Sequence, residues 1–267
     1  HQHPGPSERL EVAGPEGRPA PWPLSGQGGG AYHDPMLKSA HLHISHQGSG
    51  PPVPLSHALG ADMGMWDEVA DALADRFSVT CYDHRGHGRS QVLPGPYTMD
   101  DLVDDAVELI AQHIKRPVIF IGLSMGGMVG QLLAARHPEW VRKLVLANCP
   151  SHIPDQAQDT WQARMALVEQ GGMAAVIDAT MARWFTPTFA ADHRHGGAQA
   201  VAAVREAMLA TNPAGYVAAC AAVSGFDARA ELQRIQVPTL VIGATQDPGT
   251  SPQASEDLQQ SIAGARL

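Results

Sequence analysis

Apolar and polar positions divide this chain into stretches of different period. Residues 1–35 are rich in Gly and Pro and keep neither a 2-residue nor a 3.6-residue repeat, so they are expected to be a disordered N-terminal extension. From Met36 the pattern turns to alternating strands and helices. A short alternating stretch around Leu42-His43-Ile44 predicts an edge strand. Val53 to Ser56 is a short apolar run that ends at His57-Ala58-Leu59-Gly60, and a helix is expected from Trp66 to Leu73. Phe77 to Tyr82 reads as a strand. Thr98, with Asp101 three residues on, has the spacing of a capping box and opens an amphipathic helix through Leu102, Val103, Ala106, Val107 and Ile110. Pro117 to Ile121 is wholly apolar, as a central parallel strand buried on both faces would be. A helix over Met125 to Ala135 and a buried strand at Leu144-Val145-Leu146 follow.

Between about 150 and 230 the chain becomes Ala-, Met- and Trp-rich, with helical stretches and no convincing strand, until Val237 to Ile242 restores the β pattern. Such an order predicts an α/β class with a mostly parallel sheet and a helical lid inserted before a late strand. The expected divisions are a core over 36–149, a lid over 150–230 and a second part of the core over 231–267. At 267 residues and 44% hydrophobic the chain can bury a substantial core. A net charge of −9 argues against nucleic acid or an anionic membrane surface as a partner. Cys81, Cys149 and Cys220 are far apart and free of CxxC spacing, which suits reduced thiols. No apolar run approaches the roughly 18 residues of a membrane span, and no basic segment with an apolar h-region opens the chain. A cytoplasmic protein is expected.

Gly122-Leu123-Ser124-Met125-Gly126 fits G-x-S-x-G. Five residues alone are a weak signal. Their place directly after an apolar strand and directly before a helix is the strand–turn–helix setting of a nucleophile elbow. Ser124 is therefore the candidate nucleophile. An oxyanion hole would use the backbone N–H of Met125 and that of Leu59, in the loop after an earlier strand. His57, at the head of that loop, is expected to be a structural imidazole bonded to backbone rather than the base. Asp247 follows the late strand closely and is the candidate acid, although Asp-Pro also starts turns. No histidine follows His195, so the order Ser, acid, His breaks at its last member. From this the chain is expected to lack the last strand, the histidine loop and the last helix, and to be impaired. An out-of-order histidine (His1, His3, His33, His193 or His195) is the other way to complete the set. His41, His43 and His46 cluster on the expected edge strand, where alternate residues face water, and do not read as a metal site.

The segments LSHALGADMGMW, YDHRGHGRS, GPYTMDDL, GLSMGGMVGQLLAARHPEWVRKLVLAN, RWFTPTF, TNPAGYVAACAAV and PTLVIGATQDPGTSP resemble those of the 3-oxoadipate enol-lactone hydrolases, a group with the α/β-hydrolase fold. The elbow and the Asp83–Ser90 turn are common to the wider superfamily, while RWFTP and NPAGY look particular to the group. The resemblance supports Ser124, Asp247, Leu59 and Met125 in the roles above. It implies opening of an enol-lactone through an acyl-enzyme in aromatic-acid breakdown, without cofactor or metal. The implied partner is a small-molecule lactone or ester bearing a carboxylate, so the lid should supply a cation and apolar walls. Trp161 is the first candidate wall, with Arg164, Arg183 and Trp184 beside it. A carboxylesterase, a cofactor-free perhydrolase and a non-catalytic ligand- or partner-binding module remain alternative readings.

Overall fold

A computed structural model describes residues 40–267, so the expected N-terminal extension lies outside the described residues. Six strands form one sheet in the order β1-β3-β2-β4-β5-β6. The strands are β1 (Ile44–Gln47), β2 (Pro52–Ser56), β3 (Ser78–Tyr82), β4 (Val118–Leu123), β5 (Val141–Ala147) and β6 (Thr239–Ile242). Only β1 runs antiparallel, against β3; every other pairing is parallel. Crossing helices account for this: α1 (Asp67–Ala74), α2 (Met99–Glu108) and α3 (Met125–Arg136) return the chain between successive parallel strands. Along β4, Val118 and Phe120 join the main core with α2 and α3. Ile119, Ile121 and Leu123 pack on the opposite face, against Val53, Leu55, Trp66, Val79 and their neighbours. The apolar run at 117–121 thus reflects a strand covered on both sides.

The Thr98 capping box forms as its spacing predicts: the Asp101 N–H donates to Thr98 Oγ1 at 3.2 Å, and the Thr98 N–H to Asp101 Oδ2 at 2.8 Å. The helix it opens ends in a π turn over Leu109–Ile114. Five helices enter between β5 and β6: α4 (Gln158–Gly171), α5 (Ala174–Trp184), α6 (Pro187–Ala190), α7 (Gly197–Ala210) and α8 (Pro213–Ser224). The two connecting segments are joined at their base, where Ile153 N–H bonds Phe226 O at 2.9 Å and Ala228 N–H bonds Ser151 O at 2.9 Å.

One expectation is overturned. The chain carries a helix and a return to the sheet after β6, which the sequence was expected to lack. After β6 it forms α9 (Pro252–Ser261), capped by Ser251 with Pro252 in its first turn, and buries Leu258 and Ile262 in the main core. It then returns to the sheet, where Arg266 pairs in parallel with Leu240; the Val241 N–H bonds Arg266 O at 2.7 Å and the Arg266 N–H bonds Thr239 O at 3.0 Å. The reading of an impaired chain without a final strand and helix is therefore withdrawn. Among the described residues, no helix is long and apolar enough to cross a membrane.

Candidate active site

β2 leads rightward and leftward in the sheet to β4 and β3, so the carboxyl ends of β2 and β4 flank the point where the strand order reverses. In open α/β sheets, that crevice is where ligands bind. Ser124 stands there, between β4 and α3, at φ 53° and ψ −114°. Such a conformation is costly for a residue with a Cβ and persists only when its surroundings enforce it. They do so with glycine: a Cβ on Gly122 would fall against the Gly126 carbonyl, and one on Gly126 against that of Ser56. The Ser124 N–H is held by Ala147 O at 2.9 Å. Ser124 itself is half-buried, while Met125 behind it is fully buried.

The loop after β2 is stitched to this turn by the Gly126 N–H, which donates to His57 O at 3.2 Å. Among the described residues, the N–H groups of Leu59 and Met125 meet no acceptor. Two free donors on one stitched assembly suit an oxyanion. His57 is wholly buried, donates from Nδ1 to Ala58 O at 2.8 Å, and accepts the His84 N–H at Nε2 at 2.9 Å. Both ring nitrogens are therefore engaged with backbone. Burial pushes its pKa down to about 4, against a weaker upward pull from the Ala58 carbonyl. It is a neutral structural ring.

Asp247 lies in the turn after β6, half-buried, and accepts three hydrogen bonds. Its Oδ1 takes the Gly249 and Thr250 N–H groups at 2.7 and 3.0 Å, and its Oδ2 takes Asn148 Nδ2 at 2.8 Å. Asn148 directly follows Ala147, the residue that holds the Ser124 N–H, so adjacent strand ends carry a continuous path from Ser124 to Asp247. Sequence reasoning missed Asn148. Its signal was an asparagine ending an apolar strand, and its φ of 43° is one that asparagine tolerates better than most residues. Among the described residues, no histidine hydrogen-bonds Ser124 or Asp247. His195 pairs with Asp192 at 2.9 Å on an exposed lid turn, and His1, His3 and His33 lie outside the described residues.

Over the strand ends sits the lid. Trp161, on α4, is half-buried against the main core, as is Trp184. One turn on from Trp161, Arg164 donates to Tyr216 Oη at 2.5 Å and to Thr180 Oγ1 at 2.7 Å, both neutral acceptors. Arg183 lies 3.8 Å by its Cδ from where a Cβ on Gly249 would be, beside the Asp247 turn. Its pKa is lowered by desolvation and then by the Arg164 guanidinium, with Tyr216 and Asp247 opposing. Among the described residues, no carboxylate stands within ion-pair distance of either arginine.

The sequence profile of the alpha/beta hydrolase fold matches residues 51–267. "3-oxoadipate enol-lactonase 2" of Acinetobacter baylyi is 36% identical over 222 residues, covering 83% of this chain and 80% of that protein. The crystal structure of the enol-lactonase from Burkholderia xenovorans superposes with a TM-score of 0.80 at 35% identity, covering 85% of this chain and 86% of that one. A thermophilic esterase from Thermogutta terrifontis reaches the same TM-score, 0.80, at 26% identity over 85% of this chain and 83% of its own. The chain belongs to the alpha/beta hydrolase fold family.

Proposed function

We propose that this protein is a serine hydrolase that opens the enol-lactone of 3-oxoadipate. Ser124 Oγ attacks the lactone carbonyl, and the N–H groups of Leu59 and Met125 receive the oxyanion. Collapse of the intermediate breaks the ring C–O bond, the Ser124 hydroxyl proton passing to the departing enol oxygen, and leaves the acyl chain on Ser124; water then adds its hydroxyl to the acyl carbon and its proton to Ser124 Oγ as the product leaves. Asp247 is the acid member of the set, and Trp161 a wall of the substrate site. The observation that carries this reading is the strained φ of Ser124 together with two backbone donors that meet no acceptor among the described residues. Arg164 and Arg183, which have no carboxylate within ion-pair distance among the described residues, favour a substrate that brings a carboxylate. Similarity to two enol-lactonases supports the lactone in preference to a simple ester.

Incubation with a fluorophosphonate, followed by peptide mass spectrometry, should place the adduct on Ser124, and Ser124→Ala should abolish both adduct and turnover. The lactone should be turned over with a kcat/KM at least tenfold above that of p-nitrophenyl acetate, a gap of about 1.4 kcal/mol in transition-state binding. An adduct elsewhere would refute the nucleophile, and a preference for the neutral ester would refute the substrate.

A further inference from the structure

The oxyanion loop is gripped from two directions by residues that are remote in sequence. Gly60, next to Leu59, has φ +80°, and a Cβ there would lie 2.9 Å from Tyr216 Cε2 and 3.1 Å from Met208 Cε. Its N–H donates to His87 Nε2 at 3.0 Å, from the turn after β3. Its C=O accepts from Thr211 Oγ1 at 3.2 Å, across 151 residues, from the lid residue between α7 and α8; that hydroxyl shares its proton with Ala207 O at 3.1 Å. His87 Nδ1 faces Arg85 O at 3.2 Å. With Nδ1 donating there, Nε2 is left as the acceptor that Gly60 needs. Both clamping residues are buried, at 1% and 3% exposure, which shields the Gly60 N–H and C=O from solvent. The two jaws also touch each other: Gly86 and Gly215 approach so closely that neither could carry a Cβ.

We propose that His87 and Thr211 are positioning residues of the oxyanion hole, which fix the Leu59 N–H by holding the backbone N–H and C=O of the next residue, Gly60, so that the hole is complete only when the lid is seated. The inference rests on the hydrolase reading above for its catalytic consequence, but the clamp itself can be tested without turnover. In the full chain, Thr211→Val keeps shape and removes the hydroxyl, and Thr211→Ser restores it. His87→Leu removes the acceptor, and His87→Gln returns one. Amide exchange in the segment 57–61 should quicken roughly tenfold or more in Thr211→Val and return towards the parent rate in Thr211→Ser. The kcat for p-nitrophenyl acetate should fall by roughly tenfold with KM within about twofold, because a displaced donor is felt in the transition state. Unchanged exchange in Thr211→Val overturns the clamp, whatever the activity. Quickened exchange with unchanged kcat overturns its link to the hole. Should His87→Leu fail to fold, the Thr211 pair decides alone. Turnover surviving Ser124→Ala would sink the hydrolase reading and leave the exchange result standing.

Discussion

A single side chain can matter here without touching substrate. Asn148 illustrates this: its amide donates to Asp247 Oδ2 at 2.8 Å, while two backbone N–H groups hold Oδ1. All three donors hold the carboxylate in one orientation, and the amide ties it directly to the strand end next to Ser124. Asn148→Gly is the informative change, because glycine accepts the φ of 43° without strain and deletes only the amide. It is expected to lower kcat/KM by roughly tenfold through a misaligned Asp247 while the melting temperature moves little. Equal losses for Asn148→Gly and for Asp247→Ala would mean that the amide does more than orient. Asn148→Asp should be worse than Asn148→Gly, since it sets a second carboxylate against the first.

At the scale of elements, α2 shows local chemistry that acts apart from the site. Its capping box is exposed and satisfies the helix's first orphan donors with side chains three residues apart. Thr98→Ala should cost about 1 kcal/mol in urea unfolding and leave ester turnover at the parent level; a change in turnover would mean that α2 communicates with the strand ends. Elements of this kind were legible in the sequence because their signals are local. The apolar runs of β3, β4 and β5, the box at Thr98, the glycines around Ser124 and the helical block before β6 all declare themselves within a few residues. The return of the chain after β6 did not. The helix α9 has the sequence PQASEDLQQS, with only Ser255 and Leu258 buried, so no apolar stripe marks it. The parallel bridge at Arg266 has no strand period around it to be read. The contacts that shape the site were hidden for another reason. Asn148 with Asp247, Gly60 with Thr211 and Gly60 with His87 are separated by 99, 151 and 27 residues, and only the folded sheet and lid bring them together.

Across the whole molecule, the same burial that fixes the loop after β2 is expected to make the fold sensitive to acid. His57, His84 and His87 lie together beneath the loop, each no more than 1% exposed, with ring centroids of His57 at 4.6 Å from His84 and 5.2 Å from His87. Burial pushes His57 down to about 4 and His87 to about 3, His57 adding to the effect on His87; His84 is held well below the ordinary value by burial, then by His57, His87 and Arg85. The Arg85 carbonyl, and then Asp83, pull His87 the other way without reversing the shift. The unfolded chain takes up protons on these rings near the ordinary value of 6.5, while the folded chain does not. Stability is therefore full above that value and falls as pH drops through it towards 4, by up to about 1.4 kcal/mol per pH unit for each histidine. Asp105 opposes this at the acid end, because burial pushes its carboxyl up despite the bidentate Arg85 at 2.6 and 2.7 Å. The urea midpoint should consequently be clearly lower at about pH 5 than at about pH 7. His87→Gln should flatten that dependence, since it removes one of the rings that the unfolded chain protonates. A midpoint independent of pH across that interval would show that the three imidazoles are not held neutral by the fold. A slope unchanged by His87→Gln would place the proton uptake on groups other than the ring beneath Gly60.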